Sequence, residues 1–302
     1  MRVAAIDCGT NAIRLLIADV VGDSLTDVAR RMEIVRLGEG VDRTGRLAPE
    51  AIARTRTALL GYAAEIAGLG VGRVRMCATS ASRDASNAEE FRAMVRAVLG
   101  VDPEVITGEE EARLSFTGAV RGLAAEAPYL VVDIGGGSTE FVTGDRTVGA
   151  AISVDIGCVR MTERHLHADP PTADQIAAAE RDVADAVDAA LAAVPGRQAA
   201  TLVGLAGSVT TVTALALGLP EYDSRRIHHA RVSQEAVAKV TADLLAATVA
   251  QRRALPVMHP GRADVIGAGA LILRTIMERA GASAVVASEH DILDGIAFGL
   301  AG

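Results

Sequence analysis

Four apolar residues stand in line at positions 3–6 and a second apolar run covers 13–20. The polar, glycine-bearing tip between them, at 8–11, predicts two strands joined in a hairpin. From 49 to 67 apolar positions recur at helical spacing, with Pro49 in the first turn and Gly68 and Gly70 at the far end, so a helix is expected there. VRMCATSA, residues 74–81, reads as a buried strand running into a helix that ends at Gly100, with Ser86 and Glu89 at capping-box spacing. VITGEEEARLSF repeats the order: a short strand at Val105, Thr107 as cap with Glu110 three residues on, and a helix through about Val120. A second hairpin follows. Beyond it Thr172 and Gln175 cap a helix to Ala193, and TLVGLAGS gives a strand and a glycine-serine loop. Helices then cover 234–250 and 262–280, and a strand at 284–287 precedes a short helix after Asp291. Strand then helix, repeated, is the α/β pattern.

The two hairpins are related. DCGTNAIRL, residues 7–15, returns as DIGGGSTEF, residues 133–141, so that Asp133 lies over Asp7, Gly135 over Gly9 and Phe141 over Leu15. The duplication implies two similar domains, each aiming a glycine turn at a shared cleft. Such turns expose successive backbone N–H groups with no Cβ in the way and form concavities for phosphate oxygens. The aspartate at each strand end can hold Mg²⁺, directly or through water, against the same oxygens.

A chain of 302 residues exceeds the usual single core, which agrees with two domains. Half the residues are hydrophobic and 23% are charged, the balance of a globular, soluble chain. Asp7 interrupts the first apolar run before it reaches signal-peptide length, and no segment is long enough to span a membrane. Cys8, Cys77 and Cys158 lack paired metal-ligand spacing and read as buried, reduced thiols, which places the protein in the cytoplasm. A net charge of −8 argues against a broad nucleic-acid surface while leaving room for a local anion site. Lys239 is the only lysine; the arginine bias suits phosphate but follows equally from codon composition.

DCGTNAIRL, ATSASRDASN, TGEEEARLSF, VVDIGGGSTEF, GLAGSVTT and LDGIAFGL together resemble the exopolyphosphatase and guanosine pentaphosphatase family, over nearly the whole chain. The resemblance implies an α/β fold of two ribonuclease-H-like domains, similar to actin and the sugar kinases, around a phosphate-binding cleft. The domains are expected at 1–124 and 125–302, with the helix at about 291–302 packing back on the first. The implied chemistry is hydrolysis of the terminal phosphoryl group of inorganic polyphosphate, or of its equivalent in guanosine pentaphosphate, with Mg²⁺ or Mn²⁺, by a homodimer.

Carried over residue by residue, the resemblance makes Glu111 the carboxylate that orients or deprotonates the attacking water. The residues agree in part: Glu109, Glu110 and Glu111 sit near a helix start, where the dipole favours negative charge, and only Glu111 shares a face with Leu114 and Ser115. Arg83 is expected to neutralise phosphate charge, a surface salt bridge to Asp84 or Glu89 being its structural alternative. Gly9, Thr10, Asn11 and Arg14 form the first cradle and Gly135, Gly136, Gly137, Ser138 and Thr139 the second. Asp7, Asp133 and Glu140 surround the metal, and Gly207 and Ser208 add a phosphate contact at a helix start. Ala12 departs from the family, which usually carries a hydroxyl there, and it aligns with Ser138. One contact worth on the order of 1.5–3 kcal/mol is therefore expected to be missing, and Ala12→Ser to raise activity.

Longer family members carry further C-terminal helical domains, so processive action on long chains is not expected. Only Tyr62, Phe91, Phe116, Tyr129, Phe141, Tyr222 and Phe298 are aromatic and there is no tryptophan, which favours bare polyphosphate over a stacked guanine. Three alternatives stand beside a hydrolase: a sugar kinase or ATPase of the same fold, a sensor that binds without cleaving, which Ala12 favours, and an actin-like filament protein, against which Glu111 and Arg83 count.

Overall fold

The first apolar run forms β1 (Arg2–Cys8) and the second β2 (Ala12–Val21), antiparallel, with Asp7 opposite Arg14 and Cys8 opposite Ile13. The computed structural model describes residues 1–22 and 24–301. It divides into two units, Met1–Gly118 with Asp291–Gly302 (unit 1) and Ala119–His290 (unit 2). Among the described residues no helix is long and apolar enough to cross a membrane.

In unit 1 the chain continues through β3 (Ser24–Ile34), α1 (Val41–Thr44), α2 (Pro49–Gly68), β4 (Arg73–Ala78), α3 (Ser80–Asp84), α4 (Ala88–Leu99), β5 (Glu104–Val105) and α5 (Gly108–Val120). The sheet runs β3-β2-β1-β4-β5, antiparallel across the first three strands and parallel across the rest. Alternation sends Ala4, Ile6, Ile13 and Leu15 to one face, packed with Leu59, Tyr62 and Phe91 of α2 and α4. Val3, Ala5, Leu16 and Ala18 go to the other, packed with Leu114 of α5 and Leu293 and Ile296 of the C-terminal helix, Ile292–Ala301. Because β1 is covered on both faces it reads as an unbroken apolar run. Each fully buried leucine or phenylalanine contributes roughly 1.5–3 kcal/mol.

Unit 2 repeats the plan through β6 (Tyr129–Ile134), β7 (Thr139–Gly144), β8 (Val148–Val154), α6 (Cys158–His165), α7 (Ala173–Ala193), β9 (Thr201–Leu205) and α8 (Ala206–Ala216). It ends with α9 (Ser224–Ile227), β10 (Arg231–Ser233), α10 (Gln234–Ala246), α11 (Val249–Arg253), α12 (Ile266–Ala280) and β11 (Ala284–Ala287). Its sheet order, β8-β7-β6-β9-β11 with β10 added at the edge, is the ribonuclease-H-like order of unit 1, so the fold is two mixed-sheet α/β units.

Several local expectations change. The strand expected over 74–81 stops at Ala78, and Ser80 already belongs to α3. No Ser86–Glu89 capping box forms, because Ser86 Oγ donates to the Gly45 carbonyl at 3.0 Å. Asn87 starts α4 instead, its side chain holding the Leu47 N–H and carbonyl at 2.8 and 3.1 Å. Residues 206–208 are the first turn of α8 rather than a loop. The helix expected over 234–250 breaks at Ala247, where Thr248 and Gln251 form a new capping box. The helix expected from Arg262 begins at Ile266, after a 3₁₀ turn at Pro260–Arg262.

Candidate active site

In unit 1 the turn between β1 and β2 is closed by the Gly9 N–H, which donates to the Ala12 carbonyl at 3.0 Å. The Thr10 carbonyl accepts from Gly38 N–H at 2.9 Å, and the Asn11 carbonyl from Val35 and Arg36 N–H at 3.1 and 2.8 Å. In a trans peptide the following N–H points the other way, so the Asn11 N–H is directed away from the 35–38 segment. The Thr10 hydroxyl bonds the Ser80 hydroxyl at 2.8 Å, tying the turn to α3.

Behind this turn, buried Asp7 accepts on Oδ2 from Arg14 Nε at 3.0 Å and Nη2 at 2.6 Å, while Arg14 Nη1 donates to Asp291. Burial raises the Asp7 carboxyl above its ordinary range, Arg14 opposing and the Asp291 charge adding. Glu111, in the first turn of α5 and 9% exposed, lies 3.4 Å from Arg83 Nη1, which also donates to the Ile106 carbonyl at 3.0 Å. Thr107 caps this helix through the Glu110 N–H at 3.2 Å. Unit 1 thus brings together Glu111 and Arg83, the two residues expected to do the chemistry.

The turn of unit 2 is closed identically, Gly135 N–H donating to the Ser138 carbonyl at 3.0 Å. Its outward carbonyls are used by α6. Gly135 O accepts from Cys158 N–H at 2.9 Å, Gly136 O from Val159 and Arg160 N–H at 2.9 and 3.1 Å, and Gly137 O from Arg160 Nε at 2.7 Å. The orphan N–H groups of the helix start are thereby satisfied, and the N–H groups of Gly136, Gly137 and Ser138 are turned to the opposite side. Thr139 Oγ1 donates to the Ile156 carbonyl at 2.6 Å, so this hydroxyl has a structural duty. Asp133 and Glu140 are cross-strand partners, and Glu140 Oε1 accepts from Ser138 and Ser153 hydroxyls at 2.8 and 2.7 Å.

β9 lies parallel beside β6, so α8 begins next to this turn. Its first residue, Ala206, has φ +65°, a left-handed conformation that is unusual for a residue with a Cβ. A Cβ on Gly207 would sit inside the Arg262 guanidinium, which is laid over the helix start. Ser208 is buried against Gly269 and hydrogen-bonded to Cys158, whose thiol burial pushes up against that bond and the Arg262 charge.

Arg262 escapes sequence reading, its only local signal being that of a helix start. So do His228, His229 and His290, whose rings gather at 3.7 Å (228–229) and 4.4 Å (228–290) between centroids beside Tyr222, which donates to Glu289 at 2.6 Å. Counting only phenylalanine, tyrosine and tryptophan overlooked these rings. Of the counted aromatics, Tyr62, Phe91, Phe116, Tyr129 and Phe141 are buried and Tyr222 is exposed.

The three carboxylates expected around a metal are divided between the units, Asp7 in one and Asp133 with Glu140 in the other. Asp133 and Glu140 are hard oxygen donors of the kind Mg²⁺ takes, whereas Asp7 has given Oδ2 to Arg14. Among the described residues no cluster of three or more His, Cys, Asp or Glu side chains is arranged as a metal site.

The profile of the Ppx/GppA phosphatase family matches residues 16–301. Exopolyphosphatase 2 of Mycobacterium tuberculosis is 55% identical over 315 aligned positions, covering 100% of this chain and 99% of that protein. The crystal structure of an exopolyphosphatase-like protein has TM-score 0.96 at 45% identity, over 99% of this chain and 97% of its own. An exopolyphosphatase from Cytophaga hutchinsonii has TM-score 0.89 at 25% identity, with the same coverage. Since the likeness runs through both units and through the segments that carry the two glycine turns, the chain belongs to the Ppx/GppA phosphatase family.

Proposed function

We propose that this phosphatase is an exopolyphosphatase, which transfers the terminal phosphoryl group of inorganic polyphosphate to water and releases orthophosphate and a chain one phosphate shorter. The observation that carries it is the pair formed by Glu111 and Arg83, a buried carboxylate and a guanidinium held together at the start of α5. The name of the 55% identical relative supports the same substrate. Phosphoryl transfer to water has a loose transition state, so positioning and charge neutralisation carry most of the catalysis.

Glu111 orients the water and accepts its proton as the new P–O bond forms and the bridging P–O bond breaks. Arg83 neutralises charge on the transferred oxygens. The N–H groups of Thr10 and Asn11 in unit 1, and in unit 2 those of Gly136, Gly137 and Ser138 with Gly207, Ser208 and Arg262 at the start of α8, hold phosphate oxygens. Asp133 and Glu140 would hold Mg²⁺ or Mn²⁺, which when bound neutralises phosphate charge. The free, buried Cys8, Cys77 and Cys158 agree with a reducing cytoplasm, and light scattering in solution tests the homodimer.

A second substrate, guanosine pentaphosphate, is favoured by one observation, the imidazole cluster beside Tyr222, since stacking a base is worth roughly 1–3 kcal/mol. Bare polyphosphate needs only amides, arginines and metal, and we place it first. Phosphate release from polyphosphates of defined length, with guanosine pentaphosphate and ATP in parallel, tests the choice. The highest kcat/KM is expected for short polyphosphate; a higher value for the nucleotide reverses the order, and turnover of ATP alone indicates a different ATPase chemistry.

A further inference from the structure

Arg14 was expected to meet phosphate, yet three of its five N–H donors are already given to carboxylates. Nε and Nη2 go to Asp7 Oδ2 and Nη1 goes to Asp291 Oδ2. With two acids on one guanidinium, this group of three is net acidic, which suits holding a carboxylate in place more than attracting an anion.

Asp291 is itself fixed. It opens the C-terminal helix, its Oδ1 accepting from Leu293 N–H at 3.0 Å while its own N–H donates to Asp294 Oδ2 at 2.9 Å. Asp294, 1% exposed, is held in turn by Arg30 Nη2 of β3 at 2.8 Å. The same segment is pressed against α5, the helix of Glu111. A Cβ on Gly118 would collide with the Asp291 carbonyl and lie 3.1 Å from Gly295 N, and a Cβ on Gly295 would collide with the Leu114 carbonyl. Backbone therefore touches backbone where these helices cross, leaving little freedom for Asp291 to shift.

We propose that Asp291 is a positioning residue of the active site, acting through Arg14: it anchors the guanidinium that orients Asp7 and so registers the first glycine turn against α5. The proposal rests on the exopolyphosphatase assignment. Asp291→Asn is the informative change, because asparagine is isosteric and remains a good helix cap, so the fold is retained while the charged anchor is lost.

The experiment is a double-mutant cycle on the full-length chain with Asp291→Asn, Arg14→Gln and both, measuring kcat and KM for short polyphosphate, with thermal midpoints recorded beside them. We expect Asp291→Asn to lower kcat about tenfold with KM within about twofold, and the double variant to be no slower than Arg14→Gln alone, as required of residues acting in series. Losses that multiply would overturn the proposal by showing an independent, structural role, as would an Asp291→Asn enzyme with wild-type kcat. As a readout apart from turnover, the ¹⁵Nε resonance of Arg14 should move in Asp291→Asn; an unchanged resonance also counts against the link. A wild-type chain that fails to release phosphate from polyphosphate would instead remove the functional assignment, and this proposal with it.

Discussion

Replacing Gly157 by alanine adds one methyl group at a point where the backbone of the second glycine turn leaves no room for it. The new Cβ would lie 2.5 Å from the Gly137 nitrogen and closer still to the Gly136 carbonyl. Non-bonded heavy atoms settle at about 3.5–4.0 Å, so the turn and α6 must separate by roughly 1 Å. The φ of Gly157 is −146°, extended backbone open to any residue, so the requirement is space alone.

What would be lost follows from the bonds across that contact. Cys158, Val159 and Arg160 N–H and Arg160 Nε bind the carbonyls of Gly135, Gly136 and Gly137 at 2.7–3.1 Å. Weakening two or three of them at about 0.5–1.5 kcal/mol each predicts a loss of roughly 1–4 kcal/mol. A glycine-to-alanine change at an unstrained, open site does the reverse, stabilising by about 0.4–1 kcal/mol through the unfolded chain. The sign of the effect is thus the test, read in urea unfolding of the full chain. Turnover should fall as well, on the order of a hundredfold, the cost of a misplacement of about 1 Å in a positioning element. A Gly157→Ala variant as stable and as active as wild type would show that the turn does not depend on this approach.

Glu111→Gln keeps shape but removes the proton acceptor, and phosphate release should fall on the order of a hundredfold or more with folding unchanged; wild-type rates would exclude Glu111 as the base. Excess EDTA should stop turnover and Mg²⁺ or Mn²⁺ restore it, while full activity in the chelator would exclude a metal role for Asp133 and Glu140. Burial and the neighbouring His290 hold the His229 imidazole below its ordinary 6.5. The unfolded chain then binds the proton more readily, so stability should decline as pH drops through 6.5. His229→Asn, tolerated at its φ of +62°, should flatten that slope, and an unaltered slope would refute the assignment.

The legible parts of the sequence were those whose signal is local. β1 and β2 announced themselves because both faces of the strand are covered, and the Thr172–Gln175 and Thr107 caps because a cap is a contact within four residues. The repeat was legible for the same reason: Gly9 and Gly135 close their turns with the same bond three residues on. β3 was not, since only Ala29 of its eleven residues is buried. Ser86 failed as a cap because Gly45, far away in sequence, took its hydroxyl. Arg262 and Asp291 carried no local signal of their contacts, because what places them, the start of α8 and the first hairpin, lies 55 and 277 positions away in the chain. Glu111 and Arg83 came from motif resemblance, and only three-dimensional packing sets them 3.4 Å apart.

Where the two hairpins differ, the charge they carry differs with them. Two residues after the hydroxyl position, unit 2 has Glu140 facing Asp133, whereas unit 1 has Arg14 facing Asp7. Like charges directly opposite on a sheet repel, a cost that a bound cation relieves, while opposite charges need no such help. Ser138 serves this arrangement, since its hydroxyl donates to Glu140 Oε1 at 2.8 Å. A serine at position 12 would find at the matching place a guanidinium, which has no acceptor to offer. With Arg14 in the place of Glu140, Ala12 leaves no bond of the Ser138 kind unmade, and the gain expected from the repeat alone should not appear. Ala12→Ser should leave kcat/KM within about twofold of wild type. Ser138→Ala, which strips a hydrogen bond to a charged oxygen worth about 1.5–3 kcal/mol, should lower it by roughly tenfold to a hundredfold. Both variants belong in one assay of phosphate release from short polyphosphate. A clear rise with Ala12→Ser, or an indifferent Ser138→Ala, would mean that the two turns bind phosphate equivalently and that the charge opposite each aspartate is not what separates them.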